Sequence, residues 1–365
     1  MRFNRRIPLI FLVAFYVFYS FSDARASCGA VSCFVVIGAQ QQIPQQGVLT
    51  VNGIYNYTPM RLLSGTTGII PAADQARQRL ILDHHQEVRT ITQTYTLDLN
   101  YGITDRLAVE FTLPYLKRKH QHIDGLGESA SEAGEPVNFS DNGIGDMRVT
   151  VKYNVLPALR HNVVMGFGLE LPTGDTRARD SSGQILESSG QLGRGNVGLI
   201  GSIYQTFELI PHRLSEFAFA SYRHTFRNQD GYQFGDEYQF NAGFNLVTAP
   251  WLVLTNQFNY RYLTHDNVTA NLEQSAAPLA GGEPTVIDSR ILDRRVSNTG
   301  STYFAYTPGF QLDLGRLIES QYTEATSLYF MAQIPLARDA NNNLAQGTSF
   351  VFGFSRSFQL ARPRV

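Results

Sequence analysis

The feature that most constrains this chain is an alternation of apolar and polar side chains, two residues long, that recurs about a dozen times. Between Thr90 and Tyr101 the apolar set is Ile91, Tyr95, Leu97, Leu99 and Tyr101, broken only by Gln93. The residues between them are Thr90, Thr92, Thr94, Thr96, Asp98 and Asn100. A strand points successive side chains to opposite faces, so one face here is apolar and the other polar. Twelve such strands are expected, near Val48–Tyr57, Val88–Tyr101, Leu107–Lys117, Asp146–Val155, Asn162–Leu171, Asn196–Thr206, Leu214–Thr225, Glu237–Val247, Leu252–Leu263, Val296–Leu314, Ser327–Leu336 and Ser349–Leu360.

The connections sort by parity. Long polar segments follow the odd strands (58–87, 118–145, 172–195, 226–236, 264–295 and 337–348), and tight turns follow the even ones. Short periplasmic turns and longer extracellular loops are the known asymmetry of outer-membrane barrels. A soluble sandwich would bury one sheet against another and has no reason to sort its loops by parity. The pattern therefore predicts an all-β chain: one antiparallel transmembrane barrel over 47–365, both termini periplasmic, in a Gram-negative outer membrane. An apolar fraction of 43% is no obstacle, because a barrel averages lipid-facing and lumen-facing positions. The 18 Tyr and 24 Phe can furnish interfacial girdles.

The N-terminus reads as an export signal over 1–26. Arg2, Arg5 and Arg6 precede an apolar Ile7–Phe21, and Ala24-Arg25-Ala26 fits a small-x-small cleavage site. That leader holds four Arg and one Asp of the 30 basic and 31 acidic residues, leaving 26 against 30 and no excess of positive charge to bind nucleic acid. Residues 27–46 are expected to be a periplasmic segment, rich in Gln at 40–42 and 45–46, and a candidate plug for the lumen. Cys28 and Cys33 follow the cleavage site in an oxidising compartment, where a small disulfide is the default.

Several stretches carry a family resemblance. Leu171-Pro172-Thr173-Gly174-Asp175 ends the fifth strand, Leu192-Gly193-Arg194-Gly195 opens the sixth, and Gly143-Ile144-Gly145-Asp146 opens the fourth. From about Leu97 onward the chain resembles outer-membrane transporters grouped as the "meta-pathway of phenol degradation" barrel family. The resemblance implies a passive channel, often supposed to pass small hydrophobic or aromatic compounds, with no catalytic residues. The same motifs have a plain physical use, since Gly and Asp set turn geometry and Pro172 lacks a ladder N–H.

By alternation the lumen is expected to be lined by Asp98, Glu110, Arg148, Lys152, Glu170, Glu216, Glu237, Arg261 and Asp313, with Phe217 and Phe219 facing lipid. Arg356 breaks the apolar face of the last strand, near the periplasmic end, where a lipid-facing Arg costs only ~0–1 kcal/mol. No catalytic set is expected: the GxHxSxG-like run of an outer-membrane phospholipase is absent, and Asp83, His84, His122 and Asp124 at the rim are assigned to loops. No cofactor is called for. Histidines are skewed to the extracellular side, where His84, His85, His120 and His122 fall in adjacent connections. Imidazoles near carboxylates suit zinc, copper or nickel. Two functions follow: a passive channel for small molecules, surrounded by outer-membrane lipids; or a non-conducting scaffold or anchor whose extracellular loops bind a partner or metal.

Overall fold

A computed structural model describes residues 42–74, 79–123, 136–179, 188–269, 271–274, 285–288, 294–296, 298–318 and 323–361. The expected leader, the cysteines and most of segment 27–46 lie outside them. The twelve strands are β1 (Val48–Arg61), β2 (Arg79–Thr104), β3 (Leu107–Ile123), β4 (Met147–Pro157), β5 (His161–Leu171), β6 (Gly198–Ile210), β7 (Leu214–Thr225), β8 (Glu237–Ala249), β9 (Leu252–Leu263), β10 (Ser301–Asp313), β11 (Thr326–Asp339) and β12 (Ser349–Gln359). Each pairs antiparallel with the next. β1 also pairs with β12 along Val48↔Gln359 to Tyr57↔Phe350, which closes the sheet into a barrel.

Alternation sets the register. On the outer face Tyr95, Val151, Phe167, Phe240, Phe258, Phe352 and Phe354 are exposed to what would be lipid. The inner positions beside them, such as Asp98, Lys152, Asn241, Gln257, Asn259 and Val351, are buried. Tyr222 and Tyr238 pack at 5.0 Å, and Tyr238 stacks on Tyr262, as part of an aromatic girdle at the long-loop end. Arg356 is on the outer face, its guanidinium 5.2 Å from the centre of the Phe358 ring.

The structure corrects the expected elements in three places. β2 has 26 residues and β3 has 17, against the ~9–11 needed to span a bilayer, so the stretches read as loops near 79–87 and 118–123 are strand. The outer face of β3 changes from Val109, Phe111, Leu113 and Tyr115 to Lys117 and Lys119, which puts the membrane boundary just above Tyr115. Above it, Ile69–Asp74 pairs with β2 and Pro136–Ile144 pairs with β3, so the wall continues upward on this side. β10 begins at Ser301 rather than Val296 and ends at Asp313, where a single helical turn, Leu314–Ile318, follows. In β7 the parity is inverted. Phe217 and Phe219 point inward and are nearly fully buried, which turns Glu216 to the outer face near the periplasmic end.

Candidate functional site: the lumen and its two mouths

The upper lumen is crossed by a ladder of ion pairs. Arg148 of β4 donates from Nε to Glu170 Oε2 of β5 at 2.8 Å, and Arg223 Nη1 of β7 donates to the same oxygen at 3.0 Å. Arg223 Nη2 then reaches Glu237 Oε2 of β8 at 2.6 Å. β6 lies between β5 and β7 and contributes Gly198 at this height. A Cβ there would come within 3.2 Å of the Glu170 Cβ, so glycine leaves the space through which Glu170 meets Arg223. A second group sits lower: Lys152 pairs with Glu110, and Asp98 accepts from Asn52 Nδ2 at 2.7 Å and Thr112 Oγ1 at 3.1 Å. The opposite wall carries amides and hydroxyls: Asn259 with Asn241 at 2.5 Å, and Thr307 to Asn259 at 2.6 Å. Arg261 lies 5.7 Å from the Tyr303 ring centre.

Seven of the nine expected lining residues thus face the lumen in connected groups. Glu216 does not, for the reason given. Asp313 keeps the inward parity but sits at the periplasmic rim, half exposed and 3.4 Å from Arg316. Arg194 and Arg223 also enter the lumen, outside the expected lining set. Arg223 was legible by parity once Thr225 is taken as inward; Arg194 was not, because it comes from a loop.

That loop holds two of the family motifs, and they close with the third, Gly143–Asp146 at the start of β4, into one clasp. Asp146 accepts from Gly174 N at 3.0 Å and from Arg194 N at 2.7 Å. Thr173 Oγ1 donates to Gly145 O at 2.8 Å, and Asp175 O accepts from Leu192 N and Gly193 N at 3.1 and 2.9 Å. The backbones of Gly174 and Gly193 are in contact: a Cβ on Gly174 would fall 2.6 Å from the Gly193 Cα. Arg118 donates to Gly190 O at 2.5 Å, drawing the loop over the barrel. The clasp delivers Arg194 into the lumen, where Nη1 meets Thr225 Oγ1 at 2.9 Å, Nε stands 3.6 Å from Glu170, and the guanidinium lies over Phe234.

The periplasmic mouth is different. Val164, Tyr204, Phe217 and Phe219 form an apolar cluster on the inner wall, and Ile43 packs against it. Asn100 donates to Gln42 O at 3.2 Å, and Gln46 N to Asp105 at 3.1 Å, so residues 42–46 lie across this end before entering β1.

At the extracellular rim, His85 and Glu87 of β2 and His120 and His122 of β3 share the inner face. The side chain of His84 is outside the described residues. Burial pushes His120 down to about 4 against the pull of Glu87, so it is neutral at pH 7. The other rim histidines have separate partners: His224 with Asp236 at 2.7 Å and His265 with Val296 O at 3.2 Å.

A comparison with curated proteins finds no match. Among solved structures, the chain is similar to the COG4313 outer membrane channel from Pseudomonas putida F1, with a TM-score of 0.52 and 14% identity over 89% of this chain and 100% of that one. This likeness shows the fold, an outer-membrane barrel. More distant are the TodX deltaS2S3 mutant monoaromatic hydrocarbon channel (TM-score 0.42, 10% identity, 87% of this chain and 91% of that one) and the Ralstonia pickettii toluene transporter TbuX (0.41, 9%, 86% and 90%). A family model matches residues 82–283, more than half of the chain and all three motif segments. The chain belongs to the family described as "Putative MetA-pathway of phenol degradation".

Proposed function

We propose that the protein is a passive outer-membrane channel for small hydrophobic or aromatic molecules, exported by a leader cleaved after Ala26. The observation that carries this reading is the interior. A closed barrel in lipid needs no polar core for stability, yet the inner wall presents ion pairs, amides and hydroxyls at nearly every height. Outer-membrane barrels with polar interiors use them as aqueous paths or as plugged lumens. The apolar patch of Val164, Tyr204, Phe217 and Phe219 interrupts that polarity and would suit the flat apolar body of an aromatic solute, in line with the family's link to phenol degradation. Passage needs no chemical step and no cofactor.

Residues 42–46 favour treating the N-terminal segment as a plug, since Ile43 occupies the apolar patch that a solute would cross. The scaffold reading draws on the same plug together with the ion-pair ladder. Planar-bilayer recordings separate the two: discrete conductance steps support a channel, and a folded but silent barrel supports the scaffold. Uptake of a labelled monoaromatic compound by cells lacking the protein should fall and should be restored by re-expression. Equal uptake in both strains would remove the aromatic assignment.

A further inference from the structure

We propose that His85, Glu87, His120 and His122 form a site for one divalent transition-metal ion of the zinc class, on the inner face of the extracellular wall. The placement follows from strand geometry. Residues two apart on one strand share a face, and Glu87 pairs directly with His122 across the β2–β3 ladder. The two strands therefore present His-x-Glu and His-x-His side by side. The ring centres of His85 and His122 are 5.0 Å apart, and those of His120 and His122 are 5.1 Å apart. Two imidazoles on one tetrahedral ion, at Zn–N ~2.0–2.1 Å, also have ring centres ~5 Å apart.

The carboxylate sits among the rings. Glu87 Oε1 is 3.2 Å from His85 Nε2, and Oε2 is 3.5 Å from His120 Nε2. Zinc takes imidazole nitrogen and carboxylate oxygen in four-coordinate tetrahedral sites, and three imidazoles with one carboxylate supply four such donors. His120 also has the support expected of a ligand: its other nitrogen, Nδ1, is held by Thr90 Oγ1 at 2.8 Å, which fixes the ring with Nε2 toward the carboxylate. Without an ion, Nε2 of His85 and Nε2 of His120 face the carboxylate, and among the described residues no group of three such side chains is already arranged to hold an ion. Loading would require the Glu87 side chain to rotate from hydrogen-bond partner to fourth ligand, with the ion taking its place against the rings. All four residues lie on paired strands, so the ordering cost that flexible loops would impose is already met by the ladder.

The test uses the full-length barrel, purified in detergent without a polyhistidine tag and stripped with chelator. Calorimetric titration with ZnCl₂ should show one ion per barrel at micromolar or tighter affinity, and CoCl₂ should give the intense visible bands of tetrahedral Co²⁺. His122→Ala and Glu87→Gln should each weaken Zn²⁺ at least ~10-fold, and Thr90→Val, outside the ligand set, by about 10-fold. His224→Ala should change nothing. Absence of saturable binding, or equal binding by the wild type and a His120→Ala/His122→Ala double variant, overturns the proposal. Should that variant fail to fold, the wild type still decides it. Zn²⁺ should protect His85, His120 and His122, but not His224, from diethyl pyrocarbonate as read by mass spectrometry, and lack of protection rejects the site.

Discussion

Three guanidinium groups, those of Arg148, Arg223 and Arg194, meet at the Glu170 carboxylate, which is almost fully buried. Removing that carboxylate leaves their charge unbalanced in a confined space. Breaking a buried pair by deleting one partner costs about 3–5 kcal/mol, because the remaining charge keeps its desolvation penalty without its attraction. Glu170→Gln should therefore destabilise the barrel by that order in a reversible folding assay in lipid. The same change should shift selectivity toward anions, read as the reversal potential in a KCl gradient. An unshifted reversal potential would mean that the ladder is not on the ion path. Phe217 and Glu216 show what could not be read at this scale. The alternation there is between Phe and Ala, apolar on both faces, so composition gives no parity. The expectation that aromatics face lipid then chose wrongly, because this part of the lumen is itself apolar and covered by Ile43.

Strand positions were legible because lipid enforces them. Residues on the outer face between the interfaces are predominantly apolar, with few exceptions such as Asn256, which accepts from Tyr306 Oη, and the demand writes a period of two into the sequence. A lipid-face test follows: Phe111 and Val149 pair across β3 and β4 on the outer face, so Arg at either should cost ~2–4 kcal/mol, while the inward Lys152 is native. Tolerance of Val149→Arg at no cost would refute the register. Where the demand stops, the signal stops with it. Above Tyr115, the run Lys117 to His122 is polar on both faces and reads as a loop, yet its backbone remains paired. Alternation therefore marks the histidines only as members of two adjacent connections and gives no reason to associate Glu87 with them. The motif clasp was likewise legible as a set of residues and not as a structure. Its glycines act through a backbone contact between distant segments. Gly193→Ala has no space for its methyl against Gly174. It should part the two segments and free Arg194, seen as new protease cleavage between 172 and 195 on intact cells. Unchanged resistance would mean that the loop is held elsewhere.

At the scale of the whole molecule, the barrel has two unlike ends. The long-loop end is polar and braced by charge; the short-turn end is apolar and covered by residues 42–46. Orientation follows from loop length. In a background lacking the native cysteines, Gln229→Cys should be labelled on intact cells by an impermeant maleimide and Thr104→Cys should not, both positions being exposed. The reverse result would invert the barrel. The covered end sets the conductance if the segment is the narrowest point. Ile43 is held by apolar contact with the Phe217–Phe219 patch, whereas its neighbours are held mainly by single hydrogen bonds at the rim. A charge at residue 43 would have to leave water for that patch without a partner, which costs several kcal/mol and exceeds what those bonds return. Ile43→Asp should therefore expel the segment from the mouth while leaving the strands paired. The expected readout is a larger single-channel step than in the wild type, with unchanged heat-modifiable migration as proof of folding. If the two proteins conduct alike, the constriction lies higher, at the Glu170 ladder, and residues 42–46 only line the mouth.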